Sequence, residues 1–207
     1  MKVGILGTGS VGVALAKGLL RARHEVRFGS RDPAAAKVPP GALADKIDAV
    51  SRWAEIVFLA VPYRFAKDTL KAAASGLMQG KILVDVTNPI ASAEDLLLGF
   101  STSAAEEVAQ IVPGARVVKA FNTVFARYMS TGKAGAETLT LFVAGDNPRD
   151  KDAVMRLGRE IGFDPVDAGP LRSARFLEPM AMQLIAMGRR TKVGWNIGFR
   201  LVREAAK

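Results

Sequence analysis

The sequence predicts a doubly wound α/β fold, a mostly parallel sheet with helices on both faces and a small helical extension at its C-terminal end. Two observations predict it. Apolar runs at 3–6, 55–61, 81–85 and 115–120 have the continuous character of strands buried on both faces, and helix-length segments alternate with them. The first 31 residues also read as strand, glycine turn, amphipathic helix and second strand, the βαβ unit from which such sheets are built.

Taken in order, the run 3–6 feeds directly into Gly7-Thr8-Gly9-Ser10-Val11-Gly12. In this G-x-G-x-x-G pattern Gly7 allows the tight turn, Gly9 admits a close approach of the backbone to a pyrophosphate, and Gly12 lets the following helix pack on the strand. The helix N-terminus then offers amides to the anion. A glycine turn used only for packing is the plainer alternative. The second strand, at 25–28, closes the unit, and 33–41 reads as irregular. A short helix at 48–53 precedes the strand at 55–61, which stops at Pro62; helices follow at 63–74 and 103–111, around the strand at 81–85. Strands at 115–120, 138–144 and 164–167 complete the sheet, with a helix at 148–161 whose Pro148 sits in the first turn, where its missing N–H costs nothing. From residue 172 the chain reads as a Met-rich helix that breaks near Gly188 and resumes through Trp195 to the C-terminus. The domain division expected is 1–168 for the dinucleotide-binding unit and 169–207 for a helical extension that carries a second-cofactor cleft and a dimer contact.

A chain of 207 residues with no cysteine has no disulfide, thiolate metal site or cysteine nucleophile. No apolar stretch reaches the roughly 18 residues of a membrane span, and the N-terminus shows no leader pattern, so a cytoplasmic protein is expected. The net charge of +9 comes from scattered basic residues without interleaved aromatics, which argues against nucleic acid and for anionic small molecules, with a basic solvated surface as the bland alternative.

The end of the second strand speaks to the nucleotide. An acidic residue there suits the ribose hydroxyls of NAD; this chain has Gly29-Ser30-Arg31. A hydroxyl and a guanidinium suit the 2′-phosphate of NADP, with Thr8 and Lys37 as further donors. The alternative gives the ribose to Asp32 and leaves Arg31 solvated. Three segments fall at later strand ends: Ala60-Val61-Pro62, Thr87-Asn88-Pro89 and Ala120-Phe121-Asn122-Thr123. They are expected to surround the ribose and nicotinamide, with Asn88 and Asn122 as polar contacts; loop asparagines bonded to their own backbone are the alternative. The expected cofactor-binding set is therefore Gly7, Thr8, Gly9, Ser10, Val11, Gly12, Ser30, Arg31, Lys37, Ala60, Val61, Pro62, Asn88, Ala120 and Asn122. No catalytic side chain and no metal ligand is expected. The single histidine, His24, lies in a turn away from the crevice, and no acid–base pattern stands beside it. Such a site suits hydride transfer between two redox cofactors, where alignment is the protein's task.

These motifs resemble the F420-dependent NADP oxidoreductase family. The resemblance rests on the glycine loop, Gly29-Ser30-Arg31, Ala60-Val61-Pro62 and Ser103-Ala104-Ala105-Glu106, and most specifically on Val166-Asp167-Ala168-Gly169-Pro170-Leu171 with Ser173, Arg175 and Glu178. It implies an oxidoreductase that moves a hydride reversibly between NADP(H) and the deazaflavin coenzyme F420 as co-substrate, and it implies a homodimer. The glycine loop is one residue tighter than in some family members. Val117 to Thr123 looks equally like the cytosolic reductase domain of six-transmembrane metalloreductases, so a soluble NADPH-dependent flavin (FMN or FAD) or ferric reductase is the alternative, and a non-catalytic NADP sensor is another. Imine and hydroxyacid reductases are disfavoured, since they append a longer helical domain. Arg172, Arg175, Arg189, Arg190 and Lys192 are expected to form a basic rim for the anionic F420 tail.

Overall fold

The computed structural model describes residues 1–73, 75–92 and 95–204. Along the chain the elements are β1 (Lys2–Leu6), α1 (Ser10–Arg21), β2 (Glu25–Ser30), β3 (Leu43–Lys46), α2 (Ile47–Trp53), β4 (Ile56–Leu59), α3 (Ala66–Ala72), β5 (Ile82–Asp85) and α4 (Ala104–Ile111). They continue with β6 (Arg116–Lys119), α5 (Ala126–Met129), β7 (Lys133–Ala134), β8 (Glu137–Thr138), β9 (Thr140–Gly145), α6 (Pro148–Ile161), β10 (Asp164–Asp167) and α7 (Ala174–Arg190). A 3-10 turn, Tyr63–Phe65, leads into α3; the helix expected over 63–74 thus opens as 3-10, and its last position, Ala74, lies outside the described residues.

Among the described residues one sheet runs β10-β9-β6-β5-β4-β1-β2-β3. The chain leaves β1 for β2 on one side and returns to β4 on the other, so the carboxyl ends of β1 and β4 diverge into a crevice, the place where open α/β sheets bind ligands. Within that sheet, among the described residues, only the β6–β9 pairing is antiparallel. Between those strands the chain makes the single turn of α5 and the β7–β8 hairpin, with no helix crossing the sheet, as a parallel return requires.

Successive strand residues face opposite layers. Ile56 and Phe58 join Val3, Ile5, Phe28, Leu15 and Leu19 under α1, while Val57 and Leu59 join Leu6, Val50, Leu70, Leu83 and Val108 under α2, α3 and α4. β3 and the β7–β8 hairpin had no signal in the sequence: Leu43 is exposed, and neither segment carries an apolar run. Pro165 is tolerated in β10 because that strand lies at the sheet edge.

The C-terminal expectation is corrected. α7 stops at Arg190, and residues 191–204 turn and then run without regular structure; 205–207 lie outside the described residues. Trp195 takes the space above Gly188, where a Cβ would sit 2.8 Å from the indole. A continuing helix cannot place a residue seven positions on over that notch. The tail is then fastened across the sheet: Trp195 packs on Phe125 at 5.3 Å, Phe199 O accepts from Thr140 N at 2.9 Å, Arg200 pairs with Glu137, and Arg203 pairs with Asp164 at 2.5 Å.

Candidate functional site

Each glycine of the first loop is explained differently. A Cβ on Gly7, whose φ is +118°, would meet Ala60 O at 2.5 Å, and one on Gly12 would meet Gly7 O at 2.3 Å. Those two are glycine because the protein itself leaves no room. A Cβ on Gly9 would meet nothing within 4 Å. Gly9 is also the N-cap of α1 and offers no side-chain cap, so the helix amides open onto free space.

Here lies a cleft of about 500 Å³, bounded by Gly7, Thr8 and Gly9, by Ser30 and Arg31 at the end of β2, and by Ala60, Val61, Pro62 and Phe65 after β4. Ser30 Oγ donates to Asp32 O at 2.9 Å and accepts from Asp32 N at 3.1 Å, while Asp32 Oδ1 accepts from Ala35 N at 3.2 Å. The loop after β2 is thus wound on Asp32. Arg31 makes no hydrogen bond or ion pair among the described residues, which leaves its guanidinium to the cleft. Lys37 is exposed and is not among the residues lining the cleft.

A second cleft, of about 480 Å³, adjoins the first across Gly9, Ala60, Val61 and Pro62. Ser10, Val11, Thr87 and Asn88 line it, with Tyr63 and Arg64 from the 3-10 turn and Arg189 from the last turn of α7. Burial and a hydrogen bond to Glu107 raise the Tyr63 pKa above its ordinary value, so this phenol holds its proton. His24 is at the amino-terminal edge of β2, bonded to Glu160 at 2.8 Å. No cluster of three or more metal-ligating side chains occurs among the described residues. Of the arginines expected on one basic rim, Arg189 lines this cleft, Arg175 is committed to Glu106 through two 2.8 Å bonds, and Arg190 lines a separate groove between α7 and residues 95–102. Gly12, Ala120 and Asn122 line neither cleft; Gly12 supports the loop from below, and Ala120 is wholly buried.

Asn122 nonetheless reaches the second cleft indirectly. Its Nδ2 donates to Asn88 Oδ1 at 3.0 Å and to Leu177 O at 2.9 Å, and Asn88 Nδ2 donates to Asn122 O at 2.9 Å. Both neighbours of that Nδ2 are acceptors, which fixes the amide's orientation. The turn that allows this is made by Phe121, a fully buried residue at φ 65°, packed 5.7 Å from Phe58 and from Phe163. A side chain that bulky in the left-handed region is held there by its surroundings.

Beneath it is a charged cluster that the sequence reading did not single out. Lys119 Nζ, with no exposure, lies 2.8 Å from Asp85 Oδ2 and 2.8 Å from Glu178 Oε1, and donates to Thr87 O at 2.5 Å. Asp85 Oδ1 accepts from Thr87 N at 3.0 Å, and Glu178 accepts from Ala104 N at 2.9 Å and Ala105 N at 3.3 Å at the start of α4. Burial alone would lower the Lys119 pKa, but Asp85 and Glu178 outweigh it and the amine is held above its ordinary value, charged. A lysine inside the apolar run Val117-Val118-Lys119-Ala120-Phe121 was the available signal, since a buried lysine must be paired. Close by, Thr87 Oγ1, Asn122 Oδ1 and Thr123 Oγ1 are buried without a hydrogen-bond partner.

Comparison with known proteins agrees with this picture. The family model described as "NADP oxidoreductase coenzyme F420-dependent" matches residues 2–89. The F420-dependent NADP reductase of Methanothermobacter marburgensis is 32% identical over 228 residues, covering 97% of this chain and 98% of that protein. The metalloreductase STEAP3 of Rattus norvegicus is 36% identical over 186 residues; this chain spans 37% of its length. A crystal structure from Arthrobacter sp. FB24, provisionally assigned as an F420-dependent NADP-reductase, superposes with a TM-score of 0.89 at 30% identity, covering 98% of this chain and 100% of that one.

Proposed function

The chain belongs to the F420-dependent NADP oxidoreductase family, and on that premise we propose that it binds NADP(H) in the first cleft and exchanges a hydride with coenzyme F420 in the second. The observation that carries the reading is the open space at Gly9. Gly7 and Gly12 are required by protein packing, whereas Gly9 is required by nothing in the protein and faces the uncapped amides of α1, which is what a pyrophosphate needs. Ser30 and Arg31 then serve the 2′-phosphate. Asp32 gives one carboxylate oxygen to the loop backbone, which favours Arg31 as the cleft's ligand-binding residue at the end of β2.

Bound NADPH would supply a hydride from C4 of its nicotinamide to C5 of the deazaflavin, with the accompanying ring-nitrogen proton drawn from solvent. The chain's own part is to bring two rings together: Gly9, Ala60, Val61 and Pro62 border both clefts, and Arg64 and Arg189 place positive charge where an anionic co-substrate enters. No proton transfer is asked of Tyr63, whose pKa is raised. Mixing the protein with NADPH and F420 and following the deazaflavin absorbance tests the reading; loss of the band at a catalytic rate is expected.

A second reading is favoured by the 36% identity to STEAP3: NADPH reducing a flavin, FMN or FAD, or a ferric chelate. Parallel reactions with these acceptors decide between the two, and silence with all of them favours a non-catalytic NADP sensor. We further propose that α7 pairs with its copy in a homodimer. Phe176 is 60% exposed on this helix, and Leu97 and Phe100 are exposed beside it at 58% and 73%. Light scattering at twice the 22.0 kDa chain mass is expected, and a mass of one chain overturns it.

A further inference from the structure

The second cleft has two walls that come from opposite ends of the sequence. One is the end of β5 and the segment after it, which carries Thr87 and Asn88; the other is α7, whose last turn carries Arg189. Both are tied to the end of β6, twice over. Lys119 bonds Asp85 and Thr87 O on the first wall and Glu178 on the second. Three residues on, Asn122 bonds Asn88 on the first wall and Leu177 O on the second. Leu177 and Glu178 are adjacent on α7, and the same helix runs on from them, past Pro179, to Arg189, about 16 Å away at 1.5 Å per residue.

Resting on the function proposed above, we infer that Lys119 and Asn122 are positioning residues that clamp the two walls of the second cleft at a fixed separation and so set the distance between the reacting rings. Neither lines a cleft, and Lys119 has no exposure, so neither touches a ligand. A purely structural role is a poor account of them. An apolar trio of the same volume would serve stability as well as a buried lysine between two carboxylates. Hydrogen bonds add what apolar contact lacks, a length and direction fixed within tenths of an ångström. The left-handed Phe121 between the two bridges is held in place for the same geometry. Reactions between two bound rings repay that stiffness, because misplacement by about 1 Å costs on the order of 100-fold in rate.

The test is Asn122→Ala in the full chain. With NADPH and F420, kcat is expected to fall about 10- to 100-fold, with KM for NADPH unchanged and a larger primary isotope effect from NADPH deuterated at C4. Amide hydrogen exchange, without any substrate, is expected to quicken together at 86–92 and 184–190 and to stay unchanged at 2–31. Quickening on one wall alone, or wild-type kcat and isotope effect, overturns the clamp. Should the truncation unfold, Asn122→Leu keeps the volume without a buried charge while removing both amide donations, and the same readings apply. If wild-type protein transfers no hydride to F420, the proposed function fails, while the exchange measurement still decides the clamp.

Discussion

The first cleft is lined by the glycine loop, by the end of β2 with the loop after it, and by the segment from Ala60 into α3, all between Gly7 and Ala72, whereas the second draws its walls from Ser10, Asn88 and Arg189. The first is held open by absences: a missing Cβ at Gly9, a missing cap on α1, an unpartnered Arg31. The second is held by presences, a buried lysine, two carboxylates and two interlocked asparagine amides. A ligand common to many proteins can be met by a short local motif. A site for a rarer partner, placed at a set distance from the first, needs long-range connections.

That contrast can be broken at several points. Lys119→Met should have the largest effect, about 3–5 kcal/mol of stability, because it leaves Asp85 and Glu178 buried and uncompensated; urea unfolding reads it, and a loss below 1 kcal/mol would mean the carboxylates reach water. Gly12→Ala forces a Cβ to within 2.3 Å of Gly7 O and should cost about 1–3 kcal/mol. Gly9→Ala, by contrast, should leave the urea midpoint close to wild type and weaken NADP(H) binding, read by titration of nicotinamide fluorescence. Equal stability losses for the two glycines would erase the distinction drawn between them. Arg31→Glu should weaken NADP(H) about 10- to 100-fold, as expected for a charged hydrogen bond, and change NAD(H) binding little; parallel losses would remove the 2′-phosphate from the argument.

The smallest effect is expected in acid. Hydrogen bonding by Arg175, helped by Ser103, outweighs burial and lowers the Glu106 pKa below 4.5. A carboxyl whose folded pKa is depressed stabilises the fold above its unfolded value, and loses that contribution as pH falls through the folded one. Wild type should therefore exceed Glu106→Gln in stability near neutrality, and the gap should close below pH 4.5. A gap independent of pH would sink the assignment of that stability to ionised Glu106.

The same division governs what could be read from the sequence. The β1–α1–β2 unit, α4 with its Ser103 cap accepting from Glu106 N at 3.2 Å, and α6 with Pro148 in its first turn were legible because short-range chemistry specifies them. The extended helix beyond Gly188 was misread, since an amphipathic composition says nothing of a tryptophan folding back into a glycine notch. β3 was invisible because an edge strand with half-exposed residues needs no apolar run. Asn122 is expected to be a ligand contact, yet its Nδ2 is spent on Asn88 Oδ1 and Leu177 O, a pairing that only the folded sheet brings about. Lys119, Asp85 and Glu178 look like unrelated charges until three elements converge on them.

The fastened tail has an optical consequence. Trp195 rests on Gly188, one residue from the Arg189 that borders the second cleft, and the segment beyond it is pinned by the Arg200–Glu137 and Arg203–Asp164 pairs at the surface. Surface ion pairs weaken as ionic strength rises, while buried contacts are screened far less. Raising salt should thus loosen the strap before the sheet is disturbed, and the emission of Trp195 should report it. Trp195 is thus a native fluorophore on the turn of α7 that borders the second cleft, and with Trp53, the chain's other tryptophan, replaced, its emission follows that turn with no label attached.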